Sequence, residues 1–305
     1  MILGIDVGAT KIAIASFDAP GNIIEMESFP SRRSGEGNDS IQKTLYLAYR
    51  SFVEKYPHAY DGIGIGVVGH TDPAHGIWLR SSNLSLEYSL RIHDVFDLHP
   101  GIPIRIDNDV NAATLAEQAL GKGSMYKHFI YVNLGSGIAA GLISGGRLIR
   151  GSANYAGELA YLKLSYQGEI ESLESVVSGL GIRDFLIKHR FAFSQDPALQ
   201  QYSAAVLFRL AEQGDPLASQ QIEKIQTMLF LAIHNLVNVL NPEAVIFGGS
   251  LAKESKLLDS VERQLRRELL PIPSSSLHFV GRSELGVSTV GILGAAQLAF
   301  NEIKQ

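Results

Sequence analysis

One pattern occurs twice in this chain and constrains its fold more than any other feature. Leu3-Gly4-Ile5-Asp6-Val7-Gly8-Ala9-Thr10 is an apolar run carrying one short acid, followed by a turn of glycine and small residues. Tyr131-Val132-Asn133-Leu134-Gly135-Ser136-Gly137 repeats that order, with Asn133 in the place of Asp6. Each copy enters a second apolar run and then a glycine-containing turn, before Ile23-Ile24 in one case and Leu148-Ile149 in the other. Apolar runs punctuated by glycine read as strands joined by a tight turn. Two copies, each near the start of a half of the chain, predict duplicated lobes facing a cleft. Two ordinary glycine hairpins are the plain alternative.

The remaining segments alternate strand with helix. Residues 23–29, 62–68, 102–106 and 244–247 read as strands. Residues 41–56 place Ile41, Leu45, Ala48 and Phe52 at helical spacing. A helix is predicted from Val110 to about Leu120. The strongest periodicity spans 220–240, where Ile222, Ile225, Leu229, Leu236 and Leu240 form one stripe. A last helix at 291–300 has small residues on one face. This order gives an α/β architecture.

Composition narrows the function. With 305 residues, 46% hydrophobic and 19% charged, two ordinary domains with a sizeable core are expected. A net charge of −5 argues against a general grip on nucleic acid or an anionic membrane. The absence of cysteine removes disulfides, thiolate zinc sites and cysteine nucleophiles together. The first apolar run meets Asp6, unlike a signal peptide, and the longest, 130–143, is too short and polar to span a bilayer. A cytoplasmic protein with neither nucleic-acid nor membrane partner is expected.

Several segments carry chemistry. The turn Gly8-Ala9-Thr10 lets a backbone approach phosphate oxygens, Thr10 adds a hydroxyl, and Asp6 can hold a hydrated Mg²⁺ beside them. The same residues also suit a hairpin turn with a capping acid. Gly135-Ser136-Gly137 poses the same pair of readings, and Gly248-Gly249-Ser250 follows a buried strand where nucleotides bind open sheets. No G-x-x-x-x-G-K-[ST] sequence occurs. Gly64 to Gly69 matches G-x-G-x-x-G by letter, but its glycines lie within a strand and no helix follows, which disfavours a dinucleotide site. In Asp107-Asn108-Asp109, one residue suffices to cap the next helix; another carboxylate there can take a proton from a substrate hydroxyl. Glu158 and Glu174 suit hydroxyl-rich ligands, though a lone acid is more often solvated. The nine histidines show no zinc spacing.

Taken in order, these segments resemble the ROK family (repressor, open reading frame, kinase) of sugar kinases and sugar-sensing repressors, nearly end to end. Asp6-Val7-Gly8-Ala9-Thr10-Lys11 resembles its D-x-G-G-T-K segment, and Gly66 to Asp72 its G-x-P-G-x-x-D. Ser82-Asn83-Leu84 resembles A-P-N-L, and Asn108-Asp109-Val110-Asn111-Ala112-Ala113 resembles N-D-x-N-A-A. Gly135 to Gly141 resembles G-T-G-I-G-G-G, and Asn241 to Ser250 resembles D-P-x-x-I-x-I-G-G-G. The resemblance implies a two-domain, actin-like (ribonuclease H-like) α/β fold with a central cleft. It places a small domain at 1–112, completed by a C-terminal helix at 290–305, and a larger domain at 113–289.

It also implies an ATP-dependent sugar kinase, glucokinase-like, that phosphorylates a hexose or hexose derivative at C6. Asp109 is then the general base. Asp6, Gly8, Ala9, Thr10 and Lys11 serve the phosphates, with Asp6 acting on Mg²⁺ indirectly. Gly135, Ser136 and Gly137 form the second phosphate segment, and Gly248 and Gly249 lie near adenosine. Asn83, Asn108, Asp109, Glu158, Tyr161 and Glu174 bind the sugar. Tyr161 stands where the family has a histidine, and no cysteine remains in the segment ending at Glu174, so no zinc is expected. A homodimer or other homo-oligomer is implied. The alternatives are a non-catalytic sugar sensor without a DNA-binding domain, and an ATPase with no sugar substrate.

Overall fold

The structure, a computed structural model, describes residues 1–31, 38–81, 84, 86, 88–96, 101–189 and 204–303, with the backbone alone at 38–40. The chain forms two compact units. One holds Met1–Met125, Leu148–Ala156 and Glu284–Gln305; the other holds Tyr126–Arg147 and Gly157–Ser283.

In the first unit, β1 (Ile2–Val7), β2 (Lys11–Ala19) and β3 (Asn22–Pro30) make an antiparallel meander. After α1 (Asn38–Lys55), β4 (Gly62–Val67) returns parallel to β1, with Ile65 beside Ile5. A small antiparallel sheet follows, of β5 (His70–Asp72), β6 (Ile77–Arg80) and β7 (Leu90–Arg91). Trp78 on β6 is fully buried and donates its Nε1–H to the Val68 carbonyl at 3.2 Å. β8 (Ile104–Asn108) pairs parallel to β4 and runs directly into α2 (Asp109–Leu120). Strands β1 and β4 are buried almost throughout because helices cover both faces of their sheet. Leu45, Tyr49 and Phe52 of α1 pack with Ile5, Ile63 and Ile65 on one of them.

The second unit opens with β9 (Phe129–Leu134), β10 (Ile138–Ser144) and β11 (Arg147–Leu148), the last reaching the boundary of the unit. A hairpin of β12 (Lys163–Tyr166) and β13 (Glu169–Ser172) turns at Gln167 and Gly168, both with positive φ. Helices α3 (Leu173–Val177), α4 (Gly179–Lys188), α5 (Ala204–Glu212) and α6 (Pro216–Leu240) follow. Asp215 caps α6, accepting the Ala218 N–H at 2.8 Å, with Pro216 at its first turn. Then come β14 (Ala244–Gly248), α7 (Ser255–Glu268), α8 (Pro271–Ser276) and β15 (Phe279–Arg282).

The sheets are ordered β3-β2-β1-β4-β8 and β11-β10-β9-β14-β15. Strand β9 is antiparallel to β10 and parallel to β14, as β1 is to β2 and β4. The repeat in the sequence is thus a repeat of topology.

The final helix, α9 (Val290–Ile303), belongs to the first unit. A Cβ on Gly64 would stand 1.8 Å from the Ala295 carbonyl oxygen of α9. The glycine-rich strand at 62–66 therefore makes room for a helix. Ala112 and Ala116 of α2 pack in clusters with residues of α9, and a Cβ on Gly294 would fall 2.1 Å from the Ala112 carbonyl. This close packing keeps all of α2 in the first unit, which extends to Met125. Among the described residues no helix is long and apolar enough to cross a membrane.

Candidate active site

The junction of β8 and α2 sorts its three polar residues into three roles. Asn108 is the helix cap: its side-chain oxygen accepts the Asn111 backbone N–H at 2.6 Å. Asp109 begins the helix, half-buried, with Oδ1 accepting the Val110 N–H at 3.0 Å. Asp107 is fully buried. Its Oδ1 accepts the Asn108 N–H at 2.8 Å and side-chain N–H bonds from Asn111 and Asn154, each at 3.0 Å, while Oδ2 is ion-paired with Arg150. A carboxylate committed to that many donors is a structural anchor. Asp109, half-buried at the first position of the helix, is a carboxylate of a type that can take part in proton transfer.

The first glycine turn is a closed hairpin. Gly8 donates its N–H to the Lys11 carbonyl at 2.9 Å, and the Ser31 hydroxyl donates to the Gly8 carbonyl at 2.7 Å. Thr10 and Lys11 are exposed. Asp6, near the end of β1, lies against α9: a Cβ on Gly291 would sit 2.5 Å from its Oδ2. Burial pushes its carboxyl up to about 6, opposed by the Lys11 charge. A hydrated divalent cation would supply the compensating positive charge, so this acid fits the Mg²⁺ role.

In the second unit, the Gly135 N–H donates to the Gly137 carbonyl at 3.0 Å. The start of α4 lies on the same turn, with Gly179 and Leu180 donating to the Gly135 and Ser136 carbonyls at 2.9 and 3.0 Å. Gly135, Ser136, Gly179, Leu180, Arg183, Ser250 and Lys253 line much of a cavity of about 470 Å³. Gly249 reaches its place only as glycine: φ is 87° and a Cβ would meet the Leu134 carbonyl oxygen at 2.2 Å. The cavity is lined by a glycine turn, by the cations Arg183 and Lys253 and by one acid, Glu254, a concave polar setting of a kind that can take a nucleotide.

Glu158 and Glu174 are neighbours in this unit. Burial raises the Glu158 carboxyl above the usual range, and the Glu174 charge adds to the rise. Glu174 sits on α3, capped by Ser172, and a Cβ on Gly137 would come 2.8 Å from its Oε2. The second glycine turn and the two acids therefore adjoin. Tyr161, at the end of a 3₁₀ turn after Glu158, is 68% exposed. Ser82 and Asn83 lie outside the described residues.

Arg183, Lys253 and Gly291 carry no motif and went unmarked in the sequence, as did the partnership of Asp107 with Arg150 and Asn154. The acid beside Asn108 was the available clue to the last, but its partners lie 43 and 47 residues away.

A model of the ROK family matches residues 2–302. The chain belongs to the ROK family. A glucokinase from Thermotoga maritima is 27% identical to it over 99% of this chain and 98% of its own length. A ROK hexokinase from Thermus thermophilus superposes with a TM-score of 0.80 at 26% identity, covering 99% of both chains. A xylose repressor from Caldicellulosiruptor bescii is 27% identical over 81% of this chain, which spans 65% of the repressor's length. Within the ROK family this chain keeps the two-domain, actin-like α/β fold.

Proposed function

We propose that this ROK protein is an ATP-dependent sugar kinase that transfers the γ-phosphoryl group to a hexose or hexose derivative, at the C6 hydroxyl, in the manner of a glucokinase. The observation that carries this reading is the division of labour at α2. Asn108 already fills the cap, and Asp107 is consumed by its donors. Asp109 then has the place and chemistry to accept the proton of the attacking hydroxyl.

In this reading Asn108, Glu158 and Glu174 hold sugar hydroxyls, joined by Asn83 and by the exposed Tyr161. The turns at Gly8-Ala9-Thr10-Lys11 and Gly135-Ser136-Gly137 hold phosphates, and Gly248 and Gly249 border the adenosine. Mg²⁺ held through Asp6 would neutralise charge on the phosphates. Phosphoryl transfer asks the protein mainly for position and charge, which these residues supply. The reading includes a homo-oligomer in the cytoplasm, testable by light scattering of the purified protein.

A coupled assay of ADP release over hexoses, amino sugars and glucosides tests the proposal. Sugar-dependent ADP release supports it. Sugar binding without turnover favours the sensor reading, which the similarity to a xylose repressor raises. Turnover without sugar points to an ATPase.

A further inference from the structure

Residues Leu148–Ala156 form a short strap that belongs to the first unit, while the chain on either side of it belongs to the second. Two side chains of the strap reach the anchor below α2. The guanidinium of Arg150 pairs with Asp107 Oδ2 and also donates to Asn154 Oδ1 at 3.0 Å. Asn154 is buried and takes the left-handed conformation, with φ of 57°. Its amide donates to Asp107 Oδ1 at 3.0 Å and to Thr71 Oγ1 at 2.9 Å, and its oxygen accepts from Asn111 Nδ2 at 3.2 Å. Every polar group of that amide is engaged. Asp107 in turn fixes the Asn108 N–H and the Asn111 side chain, on either side of Asp109.

We infer that Asn154 and Arg150 are positioning residues for the base: they lock Asp107, and Asp107 locks the turn that presents Asn108 and Asp109. The inference rests on the reading of Asp109 as the general base. A buried carboxylate with one cation and three N–H donors is a stiff joint, because losing any donor leaves charge unsolvated. Two of its ties come from a strap far away in sequence, so the direction of Asp109 depends on the strap staying seated. Small misplacement of a reacting group is enough to slow chemistry about 100-fold.

Asn154→Gly is the informative variant. Glycine accepts the left-handed backbone without strain, so the strap keeps its path while the amide is lost. Steady-state kinetics with the best sugar from the panel should show kcat reduced about 10–100-fold, with KM for ATP within about twofold of the parent value. Arg150→Met should act in the same direction. Thr71→Val should do so more weakly, with Thr71→Ser restoring the parent rate. The decisive comparison places Asn154→Gly on an Asp109→Asn background. A positioning residue has nothing left to position there, so the double variant should match Asp109→Asn alone. A further fall of equal size in the double variant would overturn the inference, as would a parent-like kcat in Asn154→Gly. If Asp109→Asn alone turns over normally, the reading of Asp109 fails instead, and the two failures are distinct. Melting temperatures of all variants identify any that fail to fold; Thr71→Val and Thr71→Ser then decide.

Discussion

The side-chain oxygen of Asn108 accepts the Asn111 backbone N–H at 2.6 Å, so the helix that begins with Asp109 is capped from outside that acid. The cap and the proposed sugar contact belong to the same side chain, and substitution can part them. Asn108→Ala should cost about 1 kcal/mol of stability and raise the KM for sugar. Asn108→Ser keeps a capping oxygen of shorter reach. It should recover most of the stability in a urea titration while leaving the sugar KM raised. Recovery of both together would deny Asn108 a part in sugar binding.

Glu158 carries a prediction in pH. Its carboxyl is raised in the folded protein above the ordinary 4.5, by burial and by Glu174. Between that value and the raised one, the folded state holds a proton that the unfolded chain has released. Stability contributed by the protonated form is therefore complete below the ordinary value and is lost as pH rises through the raised one. Glu158→Gln has no such loss. The variant should melt higher than the parent at about pH 7 to 8, with the gain vanishing near about pH 4. It should also bind sugar more weakly and ATP unchanged, since one charged hydrogen bond is worth about 1.5–3 kcal/mol. Calorimetry across pH and a sugar titration check the two halves separately.

Metal removal should divide activity from folding. The sequence has no cysteine, and no cluster of three or more metal-binding side chains occurs among the described residues. EDTA should stop turnover, and added Mg²⁺ should restore it, with no change in melting temperature. A zinc-selective chelator should alter neither. Stoichiometric zinc in the purified protein would contradict this.

Gly249→Ala should weaken nucleotide binding and lower stability together. Its φ of 87° costs an L-residue about 1–3 kcal/mol, and the new methyl would meet the Leu134 carbonyl oxygen at 2.2 Å. Titration with ADP and urea unfolding measure the two effects.

The duplicated hairpins were legible because the apolar runs at 2–7 and 129–134 are each ended by a turn of glycine and small residues, the punctuation that joins strands. Helix α6 was legible from its long apolar stripe. The hairpin at 163–172 was not: its residues are mostly exposed or half-buried and form no apolar run. The letters G-x-G-x-x-G have purposes that only the packing reveals: Gly64 clears the Ala295 carbonyl of α9, and Gly69, with positive φ, clears the Arg80 carbonyl. The site divides the same way. Asp109 stands out in a local motif, whereas the bond of Asp107 to Arg150 joins residues 43 positions apart, where no local pattern can pair them. Asp107 looked like a second candidate base in sequence; its complete burial and its donors make it an anchor.

The turnover of Asp109→Asn bears most directly on the proposed chemistry. Asparagine keeps the shape of the side chain and can still bond a hydroxyl, but it cannot take the proton. Because Asn108 holds the cap, the substitution leaves the helix start intact, and the melting temperature should stay near that of the parent. The kcat with the preferred sugar should fall about 10²–10⁴-fold, with far smaller changes in sugar and ATP affinity. Near-normal kcat in a folded Asp109→Asn protein would contradict the assignment of Asp109 as the base.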